Sequence, residues 1–153
     1  DVLVRNGSPM KLSERHCAPR IVGRILIVEE ERAVQEMIVR WLRAAGQRCE
    51  CALDRNAATA ALERASFDLV ITDVCMPGYC DFDFLLQLQS KLPELPVLVL
   101  TGCNDPRFAT KALTYGAWGY LLKPVPLRDL LSQVNRALER SVHIRASRQT
   151  TAV

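Results

Sequence analysis

The sequence predicts an α/β protein built on a doubly wound, five-stranded parallel sheet with helices on both faces. Three observations carry this reading. Short runs such as Ile25-Leu26-Ile27-Val28 have the uniform apolarity of strands buried on both sides. Stretches with apolar residues at helical spacing alternate with these runs. No hairpin signal joins neighbouring runs.

The elements follow in order. Residues 1–23 have no sustained periodicity, and Gly7-Ser8-Pro9 reads as a break. They are taken as an N-terminal extension, in part an expression remnant, outside the fold. The first strand covers residues 25–28. Ala33, Val34, Met37, Ile38, Trp41, Leu42 and Ala45 then recur at helical spacing, and Gly46 closes that helix. Residues 47–53 form a second strand. Residues 55–65, rich in alanine with Leu62 on the apolar stripe, form a second helix. A third strand spans 67–72, after which Phe82, Leu85, Leu86 and Gln89 mark a helix reaching about Leu92.

Pro93 and Pro96 bracket the connection to a fourth strand at 97–100. Asn104 or Asp105 caps a helix beginning at Pro106, a residue favoured in the first turn. Residues 118–122 make the fifth strand. Pro126 opens a last helix with Leu127, Leu130, Leu131, Val134 and Leu138 on one face. From Ser141 the chain is polar and basic, either a frayed end or the start of a linker. The folded domain is therefore expected over 24–140, with 141–153 as its tail.

Composition narrows the class. The 153 residues are 49% apolar and 24% charged, the balance of a globular protein. The net charge of +3 comes from the ends. Residues 1–24 hold five basic and two acidic side chains and residues 141–153 hold two basic ones, leaving 13 basic against 15 acidic in between. A nucleic-acid-binding body concentrates basic charge on itself, so direct nucleic-acid binding is not expected. No window approaches 18 uncharged apolar residues, and the first ten residues lack a signal-peptide core. A cytoplasmic protein without membrane contact is the expectation. Cys17, Cys49, Cys51, Cys75, Cys80 and Cys103 show no CxxC pair and no zinc spacing with His16 or His143. They are read as six free thiols, several of them buried, and a redox role for Cys75 and Cys103 is disfavoured because neighbouring carboxylates oppose thiolate formation.

The chemistry should lie beyond the carboxyl ends of the strands, where open α/β sheets bind ligands. The first strand stops at Glu29-Glu30-Glu31, the third at Asp73, the fourth at Thr101 and the fifth at Lys123-Pro124. Clustered carboxylates call for a cation, and hard oxygen ligands suit Mg²⁺, which keeps several waters. A lysine supplies a point charge for a phosphate, and a threonine hydroxyl can donate to a phosphoryl oxygen. Together these residues suit phosphoryl transfer onto an aspartate.

At this point the sequence resembles the receiver domain of two-component response regulators, over roughly residues 24–140. The motifs that carry the resemblance are ILIVEEE, LVITDVCMPG, VLVLTG and GYLLKP. Glu30, Asp73, Thr101 and Lys123 stand 43, 28 and 22 residues apart in turn. The resemblance implies a flavodoxin-like sheet of strand order 2-1-3-4-5 and a phosphorylation-dependent switch. Asp73 matches the phosphoacceptor, which receives its phosphoryl group from a phosphohistidine on a sensor histidine kinase or phosphotransfer protein. Glu30 matches the direct Mg²⁺ ligand and Glu29 its indirect partner, with the Cys75 backbone carbonyl completing the protein's share. Thr101 and Lys123 match the residues that hold the phosphoryl oxygens. Thr101 and Tyr120 match the switch pair, and Lys123-Pro124 a position where the family uses a cis peptide bond.

The resemblance also implies that phosphorylation alters the face of the fourth helix, fifth strand and fifth helix, used for an output domain or a homodimer. The domain would promote its own phosphorylation and dephosphorylation without being an enzyme for another substrate. Two departures stand out: Glu29-Glu30 replaces the usual Asp-Asp or Glu-Asp, and Cys80-Asp81 stands where the family often has Asp-Gly. The entrance to the third helix is expected to differ accordingly. The alternative is a degenerate receiver that acts as a phosphorylation-independent interaction module. A haloacid dehalogenase-type phosphatase would need an aspartate where Cys75 stands, and a dinucleotide-binding fold would need a glycine-rich turn after the first strand.

Overall fold

Along β1 (Arg24–Val28) alternate side chains leave opposite faces of the strand, and both faces are buried. Ile25 and Ile27 enter one core layer while Leu26 and Val28 enter the other. The computed structural model describes residues 20–76 and 79–152. The N-terminal extension other than its last residues, and Pro77-Gly78, lie outside the described residues.

β2 (Arg48–Ala52), β3 (Leu69–Thr72), β4 (Val97–Thr101) and β5 (Gly119–Leu122) complete a parallel sheet of order β2-β1-β3-β4-β5. α1 (Arg32–Ala44) and α5 (Leu127–Thr151) cover one face through Ile38, Leu42, Leu130, Val134 and Leu138. α2 (Arg55–Arg64), α3 (Phe82–Lys91) and α4 (Pro106–Thr114) cover the other through Ala58, Phe84, Leu85, Leu88 and Phe108. Each fully buried Leu or Ile contributes about 1.5–3 kcal/mol before the entropy of ordering is counted. The flavodoxin-like order and the five strand–helix pairs are those expected from the sequence.

The helix signals at Gly46 and before Pro106 act as anticipated, and two further caps join them. Gly46, at φ +88°, follows α1 in the left-handed region that glycine adopts without a steric penalty. Asp54, Asp81 and Asp105 cap α2, α3 and α4 by accepting from Ala57, Phe84 and Arg107 backbone N–H groups at 2.8, 3.1 and 2.9 Å. Asp105, and not Asn104, therefore takes the cap before Pro106.

Three expectations need correction. Cys75–Met76 and Tyr79–Cys80 pair antiparallel as a two-residue hairpin between β3 and α3, where no hairpin was expected. Cys75 and Cys80 are joined as a disulfide, so the six cysteines are not all free. The free ones described, Cys49, Cys51 and Cys103, are half-buried or exposed, because Cys49 and Cys51 lie on the edge strand and Cys103 in a loop. Nor is the tail frayed: α5 continues through it as far as Thr151. Ser141 is buried and donates to the Asp68 carbonyl at 2.8 Å. Arg145 and Arg148 pair with Asp68 and Glu94 at 2.5 and 2.6 Å. Among the described residues no helix is long and apolar enough to cross a membrane.

Candidate functional site

Parallel register brings the first carboxylates together. Val28 pairs with Thr72 across β1 and β3, so Glu29 and Asp73 leave adjacent strand ends side by side. Their backbones remain tied to the sheet: Asp73 N–H donates to the Val28 carbonyl at 3.2 Å and Glu29 N–H to the Ala52 carbonyl at 3.1 Å. Lys123, one residue past β5, is held by its N–H bond to the Thr101 carbonyl at 2.8 Å, and its bond to Pro124 is cis.

The Lys123 ammonium reaches both acids. Nζ lies 2.5 Å from Glu29 Oε2 and 2.9 Å from Asp73 Oδ2. The Glu29 and Asp73 side chains are only 4% and 8% exposed, so these charge-assisted bonds form where water screens weakly. Burial pushes the Lys123 pKa down, but hydrogen bonds to Asp73 and Glu29 outweigh that and hold it above the ordinary lysine value. The remaining oxygens also have donors. Asp73 Oδ1 accepts from Cys75 N–H at 2.8 Å, and Glu29 Oε1 accepts from Glu31 N–H at 3.1 Å.

Glu30 is exposed and lines an open depression of about 430 Å³ with Asp73, Cys75, Gly102, Cys103 and Lys123. Thr101 is fully buried, and its Oγ1 accepts from Cys103 N–H at 3.1 Å. The Tyr120 hydroxyl donates to the Cys103 carbonyl at 2.6 Å. The two residues matched to a switch pair thus meet through the Cys103 backbone. Burial raises the Tyr120 phenol pKa above its usual value.

The sequence-predicted residues therefore fall into two groups: Glu29, Glu30, Asp73, Cys75 and Lys123 around the depression, and Thr101 and Tyr120 behind it. Gln35 was missed. Its buried side-chain amide donates to the Glu29 and Ala52 carbonyls at 3.2 and 3.1 Å, which fixes the turn out of β1 against α1. A polar residue on the inward face of an otherwise apolar helix stripe was the available signal. Cys80 was also missed as a partner of Cys75. At the departure noted near it, Asp81 caps α3 and pairs with Arg55 at 3.3 Å.

Among the described residues no three acidic, imidazole or thiol side chains are gathered as a ready chelate. Mg²⁺ needs no such cage, since one or two carboxylates, a carbonyl and several waters satisfy it. Hard carboxylates opening onto a roomy depression fit that donor set.

The description "Response regulator receiver domain" belongs to the family model that matches residues 25–135, so the chain belongs to that family. It is a signalling domain of two-component systems, and receiver domains generally use Mg²⁺. The chain is 35% identical over 116 residues to the response regulator protein FleR of Pseudomonas aeruginosa. It is 37% identical over 118 residues to the DNA-binding transcriptional regulator NtrC of a Bradyrhizobium strain. Each match covers 76% of this chain and 24% of the relative, so the chain spans about a quarter of the length of those curated relatives. Among solved structures, NtrX from Brucella abortus in complex with ADP superposes with TM-score 0.77 at 27% identity, covering 84% of this chain and 29% of that one. The Vibrio cholerae chemotaxis protein CheY4 superposes with TM-score 0.70 at 31% identity, covering 76% of this chain and 99% of that one.

Proposed function

We propose that the receiver unit, residues 24–140, is a cytoplasmic phosphorylation switch with Asp73 as its phosphoacceptor. The observation that carries this reading is the double contact of Lys123 with Asp73 and Glu29 at the carboxyl edge of the sheet. A carboxylate oxygen of Asp73 attacks the phosphorus of a phosphohistidine on a sensor histidine kinase or phosphotransfer protein, and the P–N bond breaks as the P–O bond forms. Lys123 then exchanges Asp73 Oδ2 for a phosphoryl oxygen. Glu30, Asp73 and the Cys75 carbonyl would hold Mg²⁺, with Glu29 acting indirectly. The ion supplies neutralisation of charge on the phosphoryl oxygens.

Thr101 would turn its hydroxyl from Cys103 toward the phosphoryl group, and Tyr120 would follow. The face of α4, β5 and α5 would change its preference for an output domain or a second copy of the chain. Such a population shift requires that the phosphoryl group interact differently with the two states. The longer relatives, one of them named as a DNA-binding regulator, favour an attached output domain as the receiver of this change.

The test is intact mass after incubation with a small acyl-phosphate donor, with Mg²⁺ or with chelator, for the native protein and Asp73→Asn. The expected result is a Mg²⁺-dependent gain of one phosphoryl group that the variant lacks. The competing reading, a degenerate receiver serving as a phosphorylation-independent interaction module, is favoured by the engagement of both Glu29 carboxylate oxygens, by Lys123 Nζ and by the Glu31 N–H. No mass gain at any Mg²⁺ concentration, with failure to trap a phosphoryl mimic, would decide for it.

A further inference from the structure

The disulfide between Cys75 and Cys80 ties no two elements of the core to each other. Its ends are five residues apart, on facing positions of the short hairpin, with Cα atoms 4.3 Å apart. Its effect on the fold is therefore local, and what it constrains is the backbone of the candidate site. On one side, Cys75 N–H donates to Asp73 Oδ1 at 2.8 Å. On the other, Asp81 N–H donates to the Val74 carbonyl at 2.6 Å while the Asp81 carboxylate caps α3. The bridge thus closes the segment that fixes both Asp73 and the start of α3. Cys75 lines the depression with Glu30 and Asp73, whereas Cys80 is exposed to solvent.

We propose that Cys75–Cys80 is a reversible redox pair whose oxidation state sets how firmly the site holds Mg²⁺. The inference rests on the phosphoacceptor reading in one respect, the assignment of the Cys75 carbonyl to the metal. The exchange partner is a small dithiol, and in the reverse direction a small disulfide. A thiolate of the dithiol attacks Sγ of Cys80, the more exposed residue of the pair, the Sγ–Sγ bond breaks, and Cys75 leaves as a thiolate that takes up a proton. The second thiol of the reagent displaces Cys80 from the mixed disulfide, so two electrons reach the protein and the reagent departs as its own disulfide. Opening the bridge removes the covalent link between the facing strands of the hairpin and leaves only their short backbone pairing, so the Cys75 peptide is held less firmly next to Asp73. A ligand held in place before the ion arrives binds more tightly than one that must be ordered on binding. The oxidised form is accordingly the tighter one.

The experiment uses the full chain in two states, equilibrated with glutathione disulfide or with a dithiol, and checked by alkylation and peptide mapping of Cys75 and Cys80. Isothermal titration with Mg²⁺ alone gives the dissociation constant of each state, and a parallel acyl-phosphate incubation gives phosphoryl uptake. We expect affinity to fall about threefold or more on reduction. Cys80→Ser, which cannot form the bridge, is expected to match the reduced protein under both conditions. Equal dissociation constants in the two states overturn the inference while leaving the phosphoacceptor reading intact. A redox-dependent affinity without phosphoryl uptake in either state sustains the inference and removes that reading. Complete alkylation of both cysteines after the oxidising treatment, failure of the dithiol to open the bridge, or absence of Mg²⁺ binding in both states also overturns it.

Discussion

The Tyr120 hydroxyl donates to the Cys103 carbonyl at 2.6 Å, the same residue whose N–H is held by Thr101 Oγ1 at 3.1 Å. One peptide segment in the loop after β4 therefore reports on a fully buried threonine and a half-buried aromatic at once. Tyr120→Phe keeps the ring packed near Phe108, 5.9 Å away between centroids, and removes only the donor. The expected stability loss is about 0.5–1.5 kcal/mol by chemical denaturation. Phosphoryl uptake at Asp73 should persist. A variant that loses uptake as completely as Asp73→Asn would show that Tyr120 supports the acceptor chemistry itself.

Lys123→Ala should destabilise the Mg²⁺-free protein by roughly 1–3 kcal/mol, since it strands two nearly buried carboxylates. Added Mg²⁺ should restore part of this loss by supplying the missing positive charge. The pH dependence has a defined sign. Because the folded-state pKa of Lys123 is raised above 10.5, its contribution is fully present below that value. It disappears only as pH rises through the raised folded value. The stability difference between native protein and variant should be flat from neutral pH to the ordinary lysine range and shrink above it. A difference that shrinks near neutral pH would contradict the assignment to Lys123.

Removing residues 141–153 should cost about 1–3 kcal/mol, from the buried Ser141 bond and two partly exposed ion pairs. Ser141→Ala alone should account for much of it, by loss of the donor to the Asp68 carbonyl. Equal denaturation midpoints for the full and shortened chains would mean that the end of α5 adds nothing to the fold.

Gly116→Ala tests the turn after α4. Gly116 sits at φ +98°, and an added Cβ would lie 2.5 Å from Gln89 Cγ. Left-handed strain alone costs about 1–2 kcal/mol. Gln89→Ala in the same background should relieve the contact and leave the strain, so the double variant should recover only part of the stability.

What was legible in the sequence follows from how local its signal was. β1 and β4 could be read because Ile25-Leu26-Ile27-Val28 and Val97-Leu98-Val99-Leu100 are uniformly apolar between polar flanks. Asp73 and Lys123 could be read because each is a charge at the carboxyl end of an expected strand. The hairpin at Cys75–Cys80 has two-residue strands, shorter than any periodicity. The far end of α5 escaped notice because its apolar stripe fades after Leu138, while its anchor, Asp68, is 73 residues from Ser141 in sequence. Gln35 was hidden for the opposite reason, a single polar residue within a strong helical pattern.

α5 runs without interruption for 25 residues, so it is a shaft about 37 Å long. Its azimuth is set at the sheet by Leu130, Val134 and Leu138, and rigid helical geometry carries that azimuth outward past Ser141. Anything attached beyond Thr151 would inherit a heading as well as a distance. One residue added within 142–151 would turn that attachment by about 100° and advance it by about 1.5 Å, whereas seven would nearly restore the original heading. Transmission along this shaft would therefore depend on helical phase more than on length.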